Sequence, residues 1–249
     1  TDNTYTTLEA TATYEKQMNE HHFKWLLGSS VENANDKYLS GGRNTFPNNN
    51  LYELSAGSSA TASNGSSLSE YALMSFFTRL NYSWKERYLL EGNLRYDGSS
   101  RFAPGHRWGL FPSVSAGWRI TEESFFKNSN LTKAIDNLKL RVSYGVLGNQ
   151  NIGYYPYQQT YSLGQDAPLG SPASLQSGVN MSVYNNPDIS WEKTAVTDFG
   201  LDFGLFHNTL IGTIDYFYKY TSDILAPVEV TSLIGRGVGQ SNVGAVSNK

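Results

Sequence analysis

The feature that most constrains this chain is a strict two-residue alternation of apolar and polar side chains, sustained over runs of about ten residues. From Met74 to Trp84, the even positions carry Met74, Phe76, Thr78, Leu80, Tyr82 and Trp84; the odd ones carry Ser75, Phe77, Arg79, Asn81 and Ser83. After a polar turn at Lys85, Glu86 and Arg87 the pattern resumes. Tyr88, Leu90, Gly92, Leu94 and Tyr96 then oppose Leu89, Glu91, Asn93, Arg95 and Asp97. A strand sends successive side chains to opposite faces, so both runs are two-faced β structure. Four more runs follow the rule: Trp108 to Ile120, Leu138 to Val146, Ala195 to Leu205 and Leu210 to Tyr220. Weaker runs at Leu8 to Tyr14 and His22 to Leu27 predict a preceding hairpin. Eight strands are expected in all, and the predicted class is all-β and antiparallel.

The connections are as informative as the strands. Short links (Glu15 to Glu20, Lys85 to Arg87, Phe206 to Thr209) alternate with long polar ones: Ser29 to Ser69, Gly98 to Arg107 and Gly148 to Ser190. Glu122 to Asn137, on the short side, has room for a helical turn. Tight turns at one end and extended loops at the other are the habit of outer-membrane barrels. No stretch approaches the roughly 20 apolar residues of a membrane-spanning helix, but barrel strands need only one apolar face. The reading is a transmembrane β-barrel segment. Its alternative is a soluble β-sandwich that binds carbohydrate, with the same aromatics as core and sugar platform.

Aromatic spacing supplies a length test. Trp108 and Trp118 share a face; at about 3.4 Å per residue and a tilt near 40° they lie about 26 Å apart along the membrane normal. The apolar band between aromatic girdles is about 25 Å tall. On this basis Trp84, Tyr88, Tyr96, Trp108, Trp118, Tyr144, Tyr216 and Tyr218 are expected to face lipid. The alternate charges, Arg79, Glu91, Arg95, Asp97, Arg119, Lys139, Arg141, Asp198, Asp202, Asp215 and Lys219, are expected to face a wet lumen. Pro112 interrupts one run. It has no amide hydrogen to give a ladder, so a bulge or a locally unpaired position is expected there.

Composition excludes several functions. The 249 residues contain no cysteine, which removes disulfides, thiolate metal sites and a cysteine nucleophile. A net charge of −3 argues against nucleic-acid binding, which favours a basic excess. His21, His22, His106 and His207 lack metal-site spacing, and His21 and His22 point to opposite faces if extended. No G-x-S-x-G elbow occurs. Gly235-Arg-Gly-Val-Gly-Gln240 has the glycines of a dinucleotide loop without its strand-then-helix setting. Neither an enzyme nor a bound cofactor or metal is expected.

The runs also carry a family resemblance. Asn93-Leu-Arg-Tyr-Asp-Gly-Ser-Ser-Arg-Phe102 and Trp108-Gly-Leu-Phe-Pro-Ser-Val-Ser-Ala-Gly-Trp-Arg-Ile120 resemble segments of the SusC/RagA-type TonB-dependent transporters of Gram-negative outer membranes. So do Leu138 to Gln150 with Ile152 to Tyr157, and Trp191 to Thr194 through Asp198 to Asp202 and Asp215 to Lys219. The likeness covers roughly residues 69 to 249, and the family's F-P-S element contains the proline seen as Pro112.

The resemblance implies that residues 1 to 249 belong to a receptor barrel, with signal peptide, TonB box and plug lying elsewhere. It further implies active import of an oligosaccharide or peptide, a SusD-like lipoprotein as lid, and the TonB-ExbB-ExbD complex as energy source. Outer-membrane lipid would surround the wall. Val243 to Lys249 is similar to the start of a further family strand. Tyr154, Tyr155, Tyr157 and Tyr161, beside Asn149, Gln150, Gln158 and Gln159, suit ligand or lid contact, since ring faces supply area and amides orientation. Arg101, Phe102, His106 and Arg107 in the shorter loop are candidates for the same role.

Overall fold

In the computed structural model, which describes residues 1–181 and 183–249, nine long strands form one sheet. They are β1 (Asp2–Met18), β2 (His21–Gly42), β3 (Ser63–Trp84), β4 (Tyr88–Ser99), β5 (Trp108–Arg119), β6 (Ile135–Asn149), β7 (Glu192–Leu205), β8 (Leu210–Pro227) and β9 (Gln240–Asn248). Each pairs with its sequence neighbour and every pairing is antiparallel, an up-and-down meander with β1 and β9 at its edges. Three small two-stranded sheets lie outside it, built from the connections after β6 and β8.

The ladders fix which side chains share a face. One row runs Leu80, Gly92, Val114, Tyr144, Thr197, Tyr218 across β3 to β8; the next runs Asn81, Glu91, Ser115, Ser143, Asp198, Phe217. The first face is apolar and the second polar, as alternation predicts. Apolar-face residues are also exposed: Val114 is 47% and Ile214 61% accessible. A sandwich would bury these side chains against a second sheet. Here all the long strands lie in a single sheet, which overturns the soluble-sandwich alternative.

Beyond the eight runs a ninth long strand forms where the residues from Gln240 onward pair with β8, in line with the likeness of Val243 to Lys249 to a further family strand. One expectation is corrected. The link expected from Ser29 to Ser69 is largely strand: β2 and β3 each run 22 residues and pair at every position from His21↔Trp84 to Gly42↔Ser63. The outer halves of these strands are mostly polar on both faces, with only scattered apolar residues such as Leu39 and Leu68, so apolar alternation gives no signal there. The remaining connections fall close to expectation, and the β5–β6 link holds one α-helical turn, α1 (Ser124–Lys127), between 3-10 turns at Ile120–Glu122 and Asn130–Lys133.

Pro112 is accommodated without a bulge. The β4–β5 ladder runs through Leu94↔Pro112 in unbroken register, while the β5–β6 ladder begins only at Ser113↔Gly145. Proline thus sits where β5 and β6 part, at a position unpaired on that side.

Candidate functional site: the outer loops and the polar wall

Beyond Pro112, the gap between β5 and β6 is filled by a compact cluster of Phe102, Phe111, Ile152, Ile189 and Trp191. Trp191 is centred 5.3 Å from Phe102 and 5.2 Å from Phe111, and its indole N–H donates to the Arg107 carbonyl at 2.9 Å. Space for the Phe111 ring comes from glycine: a Cβ at Gly148 would lie 2.1 Å from it. This cluster joins the β4–β5 loop to both ends of the long β6–β7 connection. Phe102 departs from expectation. It is 0% exposed, so its ring supports the loops and has no surface to offer a ligand. Arg107 is held close by, its Nε donating to the Phe102 carbonyl at 3.2 Å.

Above the cluster, Arg101 forms a second junction. Its guanidinium lies 4.2 Å from the Tyr71 ring centre on β3 and 5.1 Å from that of Tyr154. It also donates to the Ile152 carbonyl. Tyr154 in turn donates to Asp36 Oδ2 on β2 at 3.1 Å, across 118 residues of sequence. The Asp36 carboxylate pushes the Tyr154 hydroxyl above its usual range, which keeps it protonated as a donor. A cation within reach of two aromatic rings, plus a charge-assisted hydrogen bond, ties the β6–β7 loop to the extended wall of β2 and β3.

Of the other candidates Tyr161 is the most open, at 63% exposed; Tyr155 and Tyr157, half-buried, meet edge to face at 6.2 Å, and half-buried His106 has its Nε2 3.5 Å from Asp188. Asp36, Tyr71 and Trp191 complete these junctions without a site signal in the sequence. The first two lie in a stretch without alternation, and nothing in the local pattern separates Trp191 from the wall aromatics.

Down the polar face most of the charges have hydrogen-bonding partners. Arg141 binds both oxygens of Asp202 and also Asp215, each at 2.9 Å, and Thr213 donates to Asp202 at 3.2 Å. Gly200 makes room, since a Cβ there would stand 2.5 Å from Asp215 and 2.7 Å from the guanidinium. Arg95 pairs with Asp97 and covers the Phe77 ring at 5.1 Å. Arg79 donates to Asn93, and Glu91 accepts from Asn81 and Asn93. Arg119 reaches Glu86 at 3.8 Å. Asp198 lies between Ser143 and Phe217 on the same face, and Lys139 and Lys219 share it. Such mixed, paired charge stiffens a wall and leaves no concentrated field. Among the described residues no cluster of histidine and carboxylates could hold a metal.

The opposite face carries aromatic rows at two levels. Near the short turns, Trp84, Tyr88 and Trp118 stack in sequence at 5.4 and 6.5 Å; toward the long loops, Trp108 stacks on Tyr96 at 4.6 Å and on Phe76 at 6.2 Å. Trp108 lies over Gly98, its partner across the ladder, where a Cβ would approach to 2.7 Å. Tyr144, Tyr216 and Tyr218 share this face without joining either row. At the short-turn end, buried Glu123 accepts from Tyr88 at 2.6 Å, from the Trp118 indole at 3.0 Å and from Arg87 at 3.2 Å. These donors, the Tyr88 hydroxyl first, hold its carboxyl below the usual range.

A meander with one lipid-compatible face, one charged face, and short turns opposite long loops is the wall of an outer-membrane β-barrel. The chain belongs to the family described as TonB dependent receptor-like, beta-barrel, whose model matches residues 1–249. It is 32% identical over 253 residues to TonB-dependent receptor P3 of Formosa agariphila, covering 99% of this chain and 24% of that protein. It is 40% identical over 162 residues to TonB-dependent receptor SusC of Bacteroides thetaiotaomicron, covering 64% of this chain and 16% of that protein. The structure of the RagAB peptide transporter superposes with a TM-score of 0.86 at 28% identity, over 98% of this chain and 26% of that one. A ferric enterobactin receptor from Pseudomonas aeruginosa, at TM-score 0.60 and 15% identity, shares the fold alone.

The chain therefore spans about a quarter or less of the length of these relatives. It is of the SusC/RagA type, and its place is the outer membrane. The family is one of transport receptors, not enzymes.

Proposed function

We propose that residues 1–249 form part of the wall and outer loops of a larger receptor barrel that imports an oligosaccharide or peptide. The observation that carries this reading is the single open sheet, apolar on one face and paired in charge on the other, which superposes on RagAB over 98% of its length. An open sheet of nine strands leaves two edges unpaired, and plugged transporters close with about 22 strands. In this reading the apolar face meets lipid, and Arg79, Glu91, Arg95, Asp97, Arg119, Arg141, Asp198, Asp202 and Asp215 line the lumen around a plug. The TonB-ExbB-ExbD complex supplies energy through that plug, and a SusD-like lipoprotein covers the outer mouth.

Arg101, His106, Tyr154, Tyr155, Tyr157 and Tyr161 are the residues proposed to meet ligand or lid. Arg107 and Phe102 hold the loops that carry them. The test is growth of the host on a defined oligosaccharide or peptide mixture as sole source, with the receptor intact, deleted, or carrying Arg101→Ala or Tyr161→Ala. Loss of growth on deletion, reproduced by removing TonB, is expected. Unimpaired growth of the deletion strain on every such substrate would sink the reading.

A further inference from the structure

The apolar face is not uniformly filled. Between the ridge of Tyr88 and Leu90 on β4 and that of Phe199 and Tyr216 on β7 and β8 lies a hollow of about 740 Å³. The ladders explain it. The row Leu90, Ala116, Val142, Phe199, Tyr216 has alanine where its neighbours along the row carry large side chains. Ala116 therefore leaves a floor below the outer ends of Leu90 and Phe199. Leu90 is 47%, Phe199 55% and Tyr216 59% exposed, so the ridges stand free on either side.

One end of the hollow is built with unusual care. Tyr88 and Trp118 both line it, their rings nearly parallel at 6°, and Glu123 holds the polar edge of each. Arg87, whose side chain is 28% exposed, shares that carboxylate. Tyrosine and tryptophan with tethered polar edges belong at the headgroup level of a bilayer. The hollow leads from that level over apolar side chains into the hydrocarbon, which matches the headgroup end and acyl chain of a phospholipid.

We propose that this hollow is a binding site for one ordered phospholipid of the periplasmic leaflet. An acyl chain lies over Ala116 between Leu90 and Phe199, with the headgroup end at Tyr88 and Trp118. The short turns, which mark the periplasmic end in barrels of this kind, set the leaflet. The inference rests on the barrel reading above, because it needs the apolar face to meet lipid.

The test is native mass spectrometry of the full-length receptor, released by mild detergent from nanodiscs of phosphatidylethanolamine and phosphatidylglycerol. Wild type is expected to keep one phospholipid through delipidation. Ala116→Trp, which fills the floor, is expected to lower the retained fraction by about tenfold, what two methylenes of lost contact amount to. Ala116→Leu gives a milder filling should tryptophan hinder assembly, and Leu110→Trp, on the same face outside the hollow, is expected to retain lipid as wild type does. Heat-modifiable migration in each variant reports a folded barrel. A folded wild type that keeps no phospholipid, or folded Ala116 variants that keep as much as wild type, overturns the site and leaves the barrel intact. Wild type that is soluble and unmodified by heat without detergent overturns the barrel reading instead.

Discussion

The hydroxyl of Tyr88 donates to Glu123 Oε1 at 2.6 Å, joining the first residue of β4 to the connection that follows β5. Trp118 and Arg87 donate to the same carboxylate, so one side chain fixes an aromatic row and a turn together. Because the native carboxyl titrates below its ordinary range, its stabilising effect is complete above about pH 4.3, the unperturbed glutamate value. It is lost as pH falls through the depressed native value. Acidification below pH 4 is therefore expected to loosen the β5–β6 connection, seen as a change in Trp118 fluorescence. Glu123→Gln should show the loosened signal at neutral pH and abolish the transition; an unchanged titration in that variant refutes the assignment.

The two faces differ in what they tolerate. Val114→Arg places a cation on the apolar face and is expected to cost about 2–4 kcal/mol near the bilayer midplane. Ser115→Arg, one residue along on the polar face opposite Glu91, should cost well under half of that. Urea unfolding of the receptor in lipid vesicles distinguishes them. Equal costs would mean that the faces are misassigned.

Arg141 neutralises two carboxylates that reach it from different strands. Its removal in Arg141→Ala leaves Asp202 and Asp215 facing each other across Gly200, at a cost of about 1–3 kcal/mol. Lysine does not restore the forked contact to Asp202, so Arg141→Lys should recover less than half of the loss. Arg141→Ala combined with Asp215→Asn should be more stable than Arg141→Ala alone, in the same unfolding measurement.

Trp191 is 5% exposed at the centre of the loop cluster. Trp191→Ala removes its packing on Phe102 and Phe111, about 3–5 kcal/mol for a buried aromatic. The loss falls on the outer loops, whose opening is local. Limited proteolysis of intact cells should cut within residues 150–190 far faster in the variant, while heat-modifiable migration stays unchanged.

Strand existence, facing and partnership were legible because burial is two-sided and periodic: each step of two residues returns to the same solvent. The same logic shows why other features were not. The outer halves of β2 and β3 have water-compatible side chains on both faces, so Asp36 and Tyr71 carried no periodic mark. Glu123 sits in an irregular connection, and only the coordinates show that two aromatic donors converge on it. The role of Phe102 was misjudged for a related reason. Its loop is polar in sequence, yet a buried cluster exists beneath it because Trp191 and Ile189 arrive from a distant segment.

The 22-residue strands have a further consequence. A strand crosses the hydrocarbon in about 9–11 residues, so roughly half of β2 and of β3 stands clear of the bilayer as a parapet. Leu39 and Leu68, 77% and 60% exposed, are among the side chains it displays to the surroundings of the cell. Antibodies or phage meeting intact bacteria would encounter folded, paired β-structure there in addition to loops. That portion of the wall is free to vary its outward surface under immune or viral selection, while the lipid-embedded half beneath it is not.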